Sequence, residues 1–266
     1  MYVIEYSIIT LHVNRITPNP TTQNESRYSR IIGGDVTTID RYPSAVALMG
    51  YDCFANVHYQ MCGGAIINSR SVLTAAHCLT DIVPLYYRKM RVGSAFKNSG
   101  GVVHDVAKVI IHSEYISRTV VNDIGILRSK TSFEFNENVA PGAVAGRNYY
   151  LGDNQPIWAI GWGMMNLTTG EGAEQLREVQ VYSINWNICA QRYNENGQHL
   201  GENMFCMGLL DVGGKNTCFG DSGSPVYHNN AIVGVCSWGP SPCADARFPA
   251  VNTLVSAYED WLRANA

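Results

Sequence analysis

The chain has 266 residues, long enough to bury one large core or two smaller ones. It is 46% hydrophobic and 15% charged, with a formal charge of -3. That balance excludes the basic surface of a nucleic-acid-binding protein and the polybasic patch of a membrane-bound one. In chain order, MYVIEYSIITLHV comes first: it is apolar, carries Glu5, lacks a basic start and shows no small-residue cleavage site. It is too short to cross a bilayer as a helix and reads as a weak secretion leader. Residues 14–30, NRITPNPTTQNESRYSR, are polar and contain Pro, which predicts an exposed segment.

After Arg30 the texture changes. Short β-branched runs alternate with turn signals: AVALM, GGAIIN, SVLTAA, VVHDVAKVIIH, IGILRS, IWAIGWG and AIVGVCSWG. They fall into two halves on either side of NENVAPGAVAGRN, a pattern that fits two small antiparallel barrels or sandwiches. The closing VSAYEDWLRA spaces Val255, Tyr258, Trp261 and Leu262 for one face of a helix.

Eight cysteines are scattered along the chain with no CxxC pair, and the seven histidines form no HExxH. That argues against a zinc site and for disulfides in a secreted protein. The sequons at Asn24 and Asn166 agree with that compartment.

Three short stretches carry chemistry. KNTCFGDSGSPV, from Lys215 to Val226, packs Gly220, Asp221, Ser222, Gly223 and Ser224 into one bend. Such a bend can lift a hydroxyl out of its surroundings and point N–H groups into one space, although the same composition makes ordinary surface turns. LTAAHC sets His77 after an apolar run, and VVNDIGIL sets Asp123 in an apolar stretch where a carboxylate needs donors. Singly, each fits a structural role. Together they supply a nucleophile, a base to take its proton and an acid to orient that base.

The motifs IIGG (31–34), TAAHC (74–78), NDI (122–124), GWG (161–163), GDSGSP (220–225) and SWG (237–239) stand in the order found in the chymotrypsin-like serine peptidases, the trypsin family. The sequence resembles that family over essentially all of 31–266. VTTIDRYPSAVAL and NSGGVVH look most like the trypsin-like digestive enzymes of moths and butterflies. The resemblance implies two six-stranded antiparallel Greek-key barrels, about 31–140 and 141–250, with a C-terminal helix at about 254–264 and a leader and activation segment at 1–30. It implies a secreted, monomeric serine endopeptidase that needs no cofactor or metal. Its partners would be protein substrates, an activating protease and protein inhibitors.

By the same resemblance Ser222 is the nucleophile, His77 the base and Asp123 the orienting acid, with the oxyanion held by the N–H groups of Gly220 and Ser222. It implies the bridges Cys62–Cys78, Cys189–Cys206 and Cys218–Cys243. Cys53 and Cys236 are then left as free thiols or a fourth bridge. Cleavage after Arg30 would free the Ile31 amine to pair with Asp221. The substrate pocket would comprise Asn216, Phe219, Ser237, Trp238, Gly239 and Ala250.

Three departures alter these expectations. Ser224 stands where the family usually has glycine. Asn216 occupies the position at which trypsins carry an acid for Arg or Lys, and Ala250 replaces a glycine of the pocket wall. An uncharged, apolar or aromatic P1 residue is therefore expected. The alternatives are a trypsin-like pocket that recruits another acid, Asp245 being nearest in sequence, and a non-catalytic homologue.

Overall fold

The computed structural model describes residues 31–80, 84–166 and 168–266, with nothing said of the Asn166 side chain. The leader, Asn24 and Arg30 lie outside the described residues.

Six antiparallel strands build the first barrel: β1 (Ala45–Asp52), β2 (Val57–Ile66), β3 (Ser71–Thr74), β4 (Lys89–Val92), β5 (Val102–Ile111) and β6 (Gly125–Ser129). They close in the order β1-β2-β3-β6-β5-β4. The second barrel uses β7 (Pro156–Gly161), β8 (Arg177–Ile184), β9 (Met204–Gly208), β10 (Pro225–His228), β11 (Ala231–Trp238) and β12 (Ala250–Leu254). Its order, β7-β8-β9-β12-β11-β10, repeats that of the first, with β7 pairing β8 to close the ring. Closure leaves no sheet edge to be covered. The all-β, two-barrel architecture expected from the sequence is the one observed.

The runs read as strands work by burying one face. AVALM goes further: every residue of it is buried, so that part of β1 is covered on both faces. Each terminus crosses to the other half. Asp35–Val36 pair with Glu178 and Arg177 of β8, and Ile31 is fully buried in the second barrel's core. At the far end a 3-10 turn (Val255–Tyr258) leads into a helix at Glu259–Asn265, and Val255, Tyr258 and Leu262 are buried in the first barrel's cluster. The Arg128 guanidinium donates to Asn265 O at 2.8 Å and ties that helix to β6. The two barrels are thus strapped together from both ends of the described chain.

One helix has no counterpart in the sequence reading. Trp186–Glu195 forms α1, capped by Asn185, whose side-chain oxygen accepts from the N–H groups of Asn187 and Ile188. Its inward face is Cys189, Ala190 and Tyr193, and Cys189 is bonded to Cys206 of β9.

Candidate active site

β3 ends at Thr74, and the chain turns through a 3-10 segment, Ala76–Leu79, that carries His77. The Cys62–Cys78 disulfide bolts this turn to β2. His77, Cys62 and Cys78 bring three metal-ligating residues close together, but the two sulfurs are bonded to each other and offer no thiolate. Before β6, Asn122 takes φ +56, so the chain reverses and directs Asp123 inward, where it is 1% exposed. Asn122 is locked by donating to Glu114 O and accepting from the Tyr258 hydroxyl.

The buried Asp123 carboxylate is well supplied with donors. Oδ1 accepts the His77 backbone N–H at 2.8 Å, and Oδ2 accepts His77 Nδ1 at 2.7 Å and the Ser237 hydroxyl at 2.5 Å. Thr253 Oγ1 donates to Asp123 O at 2.8 Å and anchors its main chain. Because an ionised carboxylate only accepts, Nδ1 of His77 carries the proton. The other ring nitrogen, Nε2, has among the described residues only the disulfide-bonded Cys78 Sγ near it, at 3.8 Å, and that sulfur carries no proton to donate. Ser237 was read from the sequence only as a pocket edge; its bond to Asp123 and the Thr253 anchor were not foreseen.

The Ser222 turn is fastened on several sides. Gly63 N donates to Ser222 O at 2.7 Å, Gly223 N to Cys236 O at 2.8 Å and Cys236 N to Ser224 O at 2.9 Å. Gly223 has φ +79, and a Cβ there would lie 2.2 Å from Thr74 Oγ1, so only glycine fits. Ser224 is 1% exposed and fits because its partner across the turn is Gly63, where a Cβ would lie 1.9 Å from Ser224 Oγ. Neither the Gly220 nor the Ser222 N–H donates to a protein acceptor among the described residues. No hydrogen bond joins Ser222 Oγ to His77 among them either; such contacts commonly tighten only when substrate is bound.

Asp221 is wholly buried, its oxygens accepting from Gly163 N at 2.8 Å and Cys218 N at 2.9 Å. The GWG motif makes room for it: a Cβ on Gly161 or Gly163 would lie 2.1 or 2.5 Å from the carboxyl atoms. Burial pushes its pKa up to about 7 against the opposing pull of the two N–H groups and Lys97. A carboxyl raised above its unfolded value of 3.8 stabilises the fold fully at pH below that value and loses the contribution as pH rises through about 7. In the uncut chain, the stability difference between wild type and Asp221→Asn, read by urea unfolding, is therefore expected to swing against wild type between pH 4 and about 7. A difference constant across that range would contradict this assignment.

Beside Ser222 opens a cavity of about 220 Å³. Phe219, Ser237, Trp238, Gly239 and Ala250 line it, joined by Thr217, Cys236 and the Cys218–Cys243 disulfide. Phe219 is half exposed at the rim. Ala250 is opposite Gly239, where a Cβ would come within 3.7 Å of its own.

Asn216 requires a correction. It is 2% exposed and does not line the cavity; its Nδ2 donates to Met207 O at 3.0 Å and its Oδ1 accepts from Thr217 N at 2.9 Å. Backbone partners turn the amide away, and Thr217 forms the wall in its place. Asp245 is no pocket acid either, since its Oδ1 caps the turn at Arg247 and Phe248. Cys53 is free and exposed on the β1–β2 hairpin, and Cys236 is free and buried, its thiol pushed up by desolvation.

Comparison with known proteins agrees with this geometry. The family model described as Trypsin matches residues 31–262. The chain is 50% identical over 240 residues to Trypsin CFT-1 of Choristoneura fumiferana, covering 90% of this chain and 92% of that protein. It is 48% identical over 237 residues to "Trypsin, alkaline A" of Manduca sexta, covering 89% and 91%. It is 43% identical over 241 residues to Achelase-1 of Lonomia achelous, covering 89% and 100%. A two-barrel fold, a histidine and carboxylate hydrogen-bonded beside a serine-bearing turn, and a family match over nearly nine-tenths of its length place this chain in the trypsin family, as a trypsin-like serine endopeptidase that acts on protein substrates.

Proposed function

We propose that the protein is a secreted, monomeric digestive endopeptidase, made as an inactive precursor, that cleaves peptide bonds through a Ser222–His77–Asp123 triad. The observation that carries this reading is the buried Asp123 holding His77 through Nδ1 and its backbone N–H, while Ser237, a further donor to Asp123, lines the same cavity as Ser222. His77 Nε2 takes the Ser222 proton as Oγ bonds the scissile carbonyl carbon, whose electron pair moves to oxygen. The N–H groups of Gly220 and Ser222 receive that oxyanion. The C–N bond breaks as His77 returns the proton to the leaving amine, giving an acyl-enzyme. Water, deprotonated by His77, then releases the acid and restores Ser222. Asp123 keeps the ring oriented and stabilises the imidazolium without taking its proton. Protein inhibitors that offer a substrate-like loop would compete for the same cleft. No helix among the described residues is long and apolar enough to cross a membrane.

The P1 side chain enters the cavity, whose one lining carboxylate, Asp221, is spent on backbone donors. A substrate Arg or Lys would shed water without gaining a counter-ion, a loss of about 2–5 kcal/mol for one side of a buried pair. That corresponds to about a hundredfold or more in rate. Ala250 further narrows the base. We expect uncharged apolar or aromatic P1 residues to dominate, and cleavage after Arg30 to need a separate protease. Digesting a mixed peptide library with the matured enzyme and reading the cut bonds by mass spectrometry tests this. Predominant cutting after Arg and Lys would overturn it.

The cations are 14 arginines against five lysines, and Arg keeps its charge well above the pH at which Lys loses it. Together with the likeness to a relative named "Trypsin, alkaline A", this supports work at alkaline pH. The pH–rate profile should stay high above about 8, and a sharp fall there would contradict the idea.

A further inference from the structure

The oxyanion donors need an orientation as well as a place. A trans peptide sets its N–H opposite its C=O, so the direction of the Gly220 N–H follows from where the Phe219 carbonyl is held. Met164 N donates to Phe219 O at 2.7 Å, which turns the Gly220 N–H the other way. The next peptide plane is gripped on both sides. Asp221 N donates to Cys218 O at 3.0 Å, and Gly220 O accepts from Nε2 of Gln60 at 2.8 Å. The same Nε2 donates to Cys62 O at 3.1 Å, so one amide group ties the strand behind His77 to the peptide after the oxyanion donor.

Local structure explains how Gln60 reaches so far. In the β1–β2 ladder Met49 pairs with Gln60 but Leu48 pairs with Cys62, so Met61 is an extra residue. A bulge of this kind bends its strand and re-aims the neighbouring side chain. Gly220 has φ +93 and no side chain of its own to limit rotation, so the orientation of its two peptide planes depends on these tethers, of which Gln60 supplies the one on its carbonyl. Gln60 is the only side chain of the first barrel among the described residues that hydrogen-bonds Gly220.

We propose that Gln60 is a positioning residue for catalysis: by holding the Gly220 carbonyl from the first barrel it fixes the Gly220–Asp221 plane, and with Phe219 O held by Met164 this keeps the Gly220 torsions, and so its N–H, aimed at the developing oxyanion. The proposal rests on the reading of Gly220 as an oxyanion donor. Its effect falls on the transition state, because the cavity that receives the P1 side chain includes neither Gln60 nor Gly220.

The test uses enzyme cut to begin at Ile31, as wild type, Gln60→Leu and Gln60→Glu. Leu removes the donor, and Glu keeps the shape while offering only acceptors at neutral pH. Each variant is expected to lose about tenfold or more in kcat with KM little changed, short of the roughly 10²–10³ that follows removal of an oxyanion donor itself. Two ligands with one P1 side chain separate positioning from general support. Affinity for a peptidyl trifluoromethyl ketone, whose adduct on serine carries an oxyanion, should fall in parallel with kcat. Affinity for the matching peptide amide, which forms no adduct, should stay unchanged. Wild-type kcat and ketone affinity in both variants, or equal loss for both ligands, would overturn the role of Gln60. Absence of turnover in matured wild type would instead strike the underlying catalytic reading.

Discussion

Ser222→Ala is expected to lower kcat/KM for peptide substrates by about 10⁴-fold or more while the protein still folds. The turn is held by main-chain bonds at Ser222 O, Gly223 N and Ser224 O, and none of them involves the hydroxyl that is removed. His77→Ala should cost a similar factor, because serine is a poor nucleophile without a base to take its proton. The double variant should be little worse than either single one, since residues that act as a unit give non-additive losses. Kinetics on matured variants, with circular dichroism to confirm folding, measure this. Wild-type turnover in either single variant would remove that residue from the mechanism.

Cutting the Arg30–Ile31 bond should raise turnover by several orders of magnitude. Asp221 is fully buried and its pKa is pushed up to about 7, so its carboxylate is held charged only at a cost, which a cation beside it would offset. Ile31 is buried in the second barrel's core, and its φ of +42 is a conformation that a β-branched residue rarely adopts. Severing the preceding peptide bond frees that torsion and creates an ammonium beside the second barrel's interior. Asp221 lies directly between Gly220 and Ser222, the proposed oxyanion donors, so a counter-ion on it would fix the turn that presents them. Purified uncut protein and protein beginning at Ile31 should therefore differ greatly on one peptide substrate. Asp221→Asn should leave the cut form close to the uncut level. Equal rates before and after cutting would end the precursor reading.

The fold was legible where short β-branched runs are buried. AVALM and most of SVLTAA, IGILRS and AIVGVCSWG lie in barrel strands, and their apolar residues are buried apart from the half-buried Ala231 and Trp238. REVQVYSI was harder to read, because β8 buries Arg177 and Glu178 at one end through partners distant in sequence. Arg177 bonds Gly34 O, and Glu178 pairs with Arg41 and Thr37. α1 was missed because only Cys189, Ala190 and Tyr193 of its ten residues are buried, too few to print a helical period. Asn185 followed by two residues that need capping was the available signal.

At the site, motif order pointed to His77, Asp123 and Ser222, and the structure sets His77 against Asp123 with Ser237 as a further donor. Motif order carries no information about where a side chain points. Asn216 turns its amide toward Met207, and Gln60 gains its reach from a bulge that appears only once β1 and β2 are paired. Thr253 lies 130 residues from the Asp123 carbonyl it supports. Such contacts come from the tertiary fold and leave no local pattern.

On the proposed mechanism Ser222 becomes the covalent nucleophile once the chain begins at Ile31. Intact-mass and peptide-mapping mass spectrometry, after treating cut and uncut protein with a fluorophosphonate, measures this. One adduct per molecule is expected in the cut form, located on Ser222, with labelling slowed greatly in the uncut form and abolished in His77→Ala. A cut protein that stays unlabelled, or carries its adduct on another residue, would contradict it.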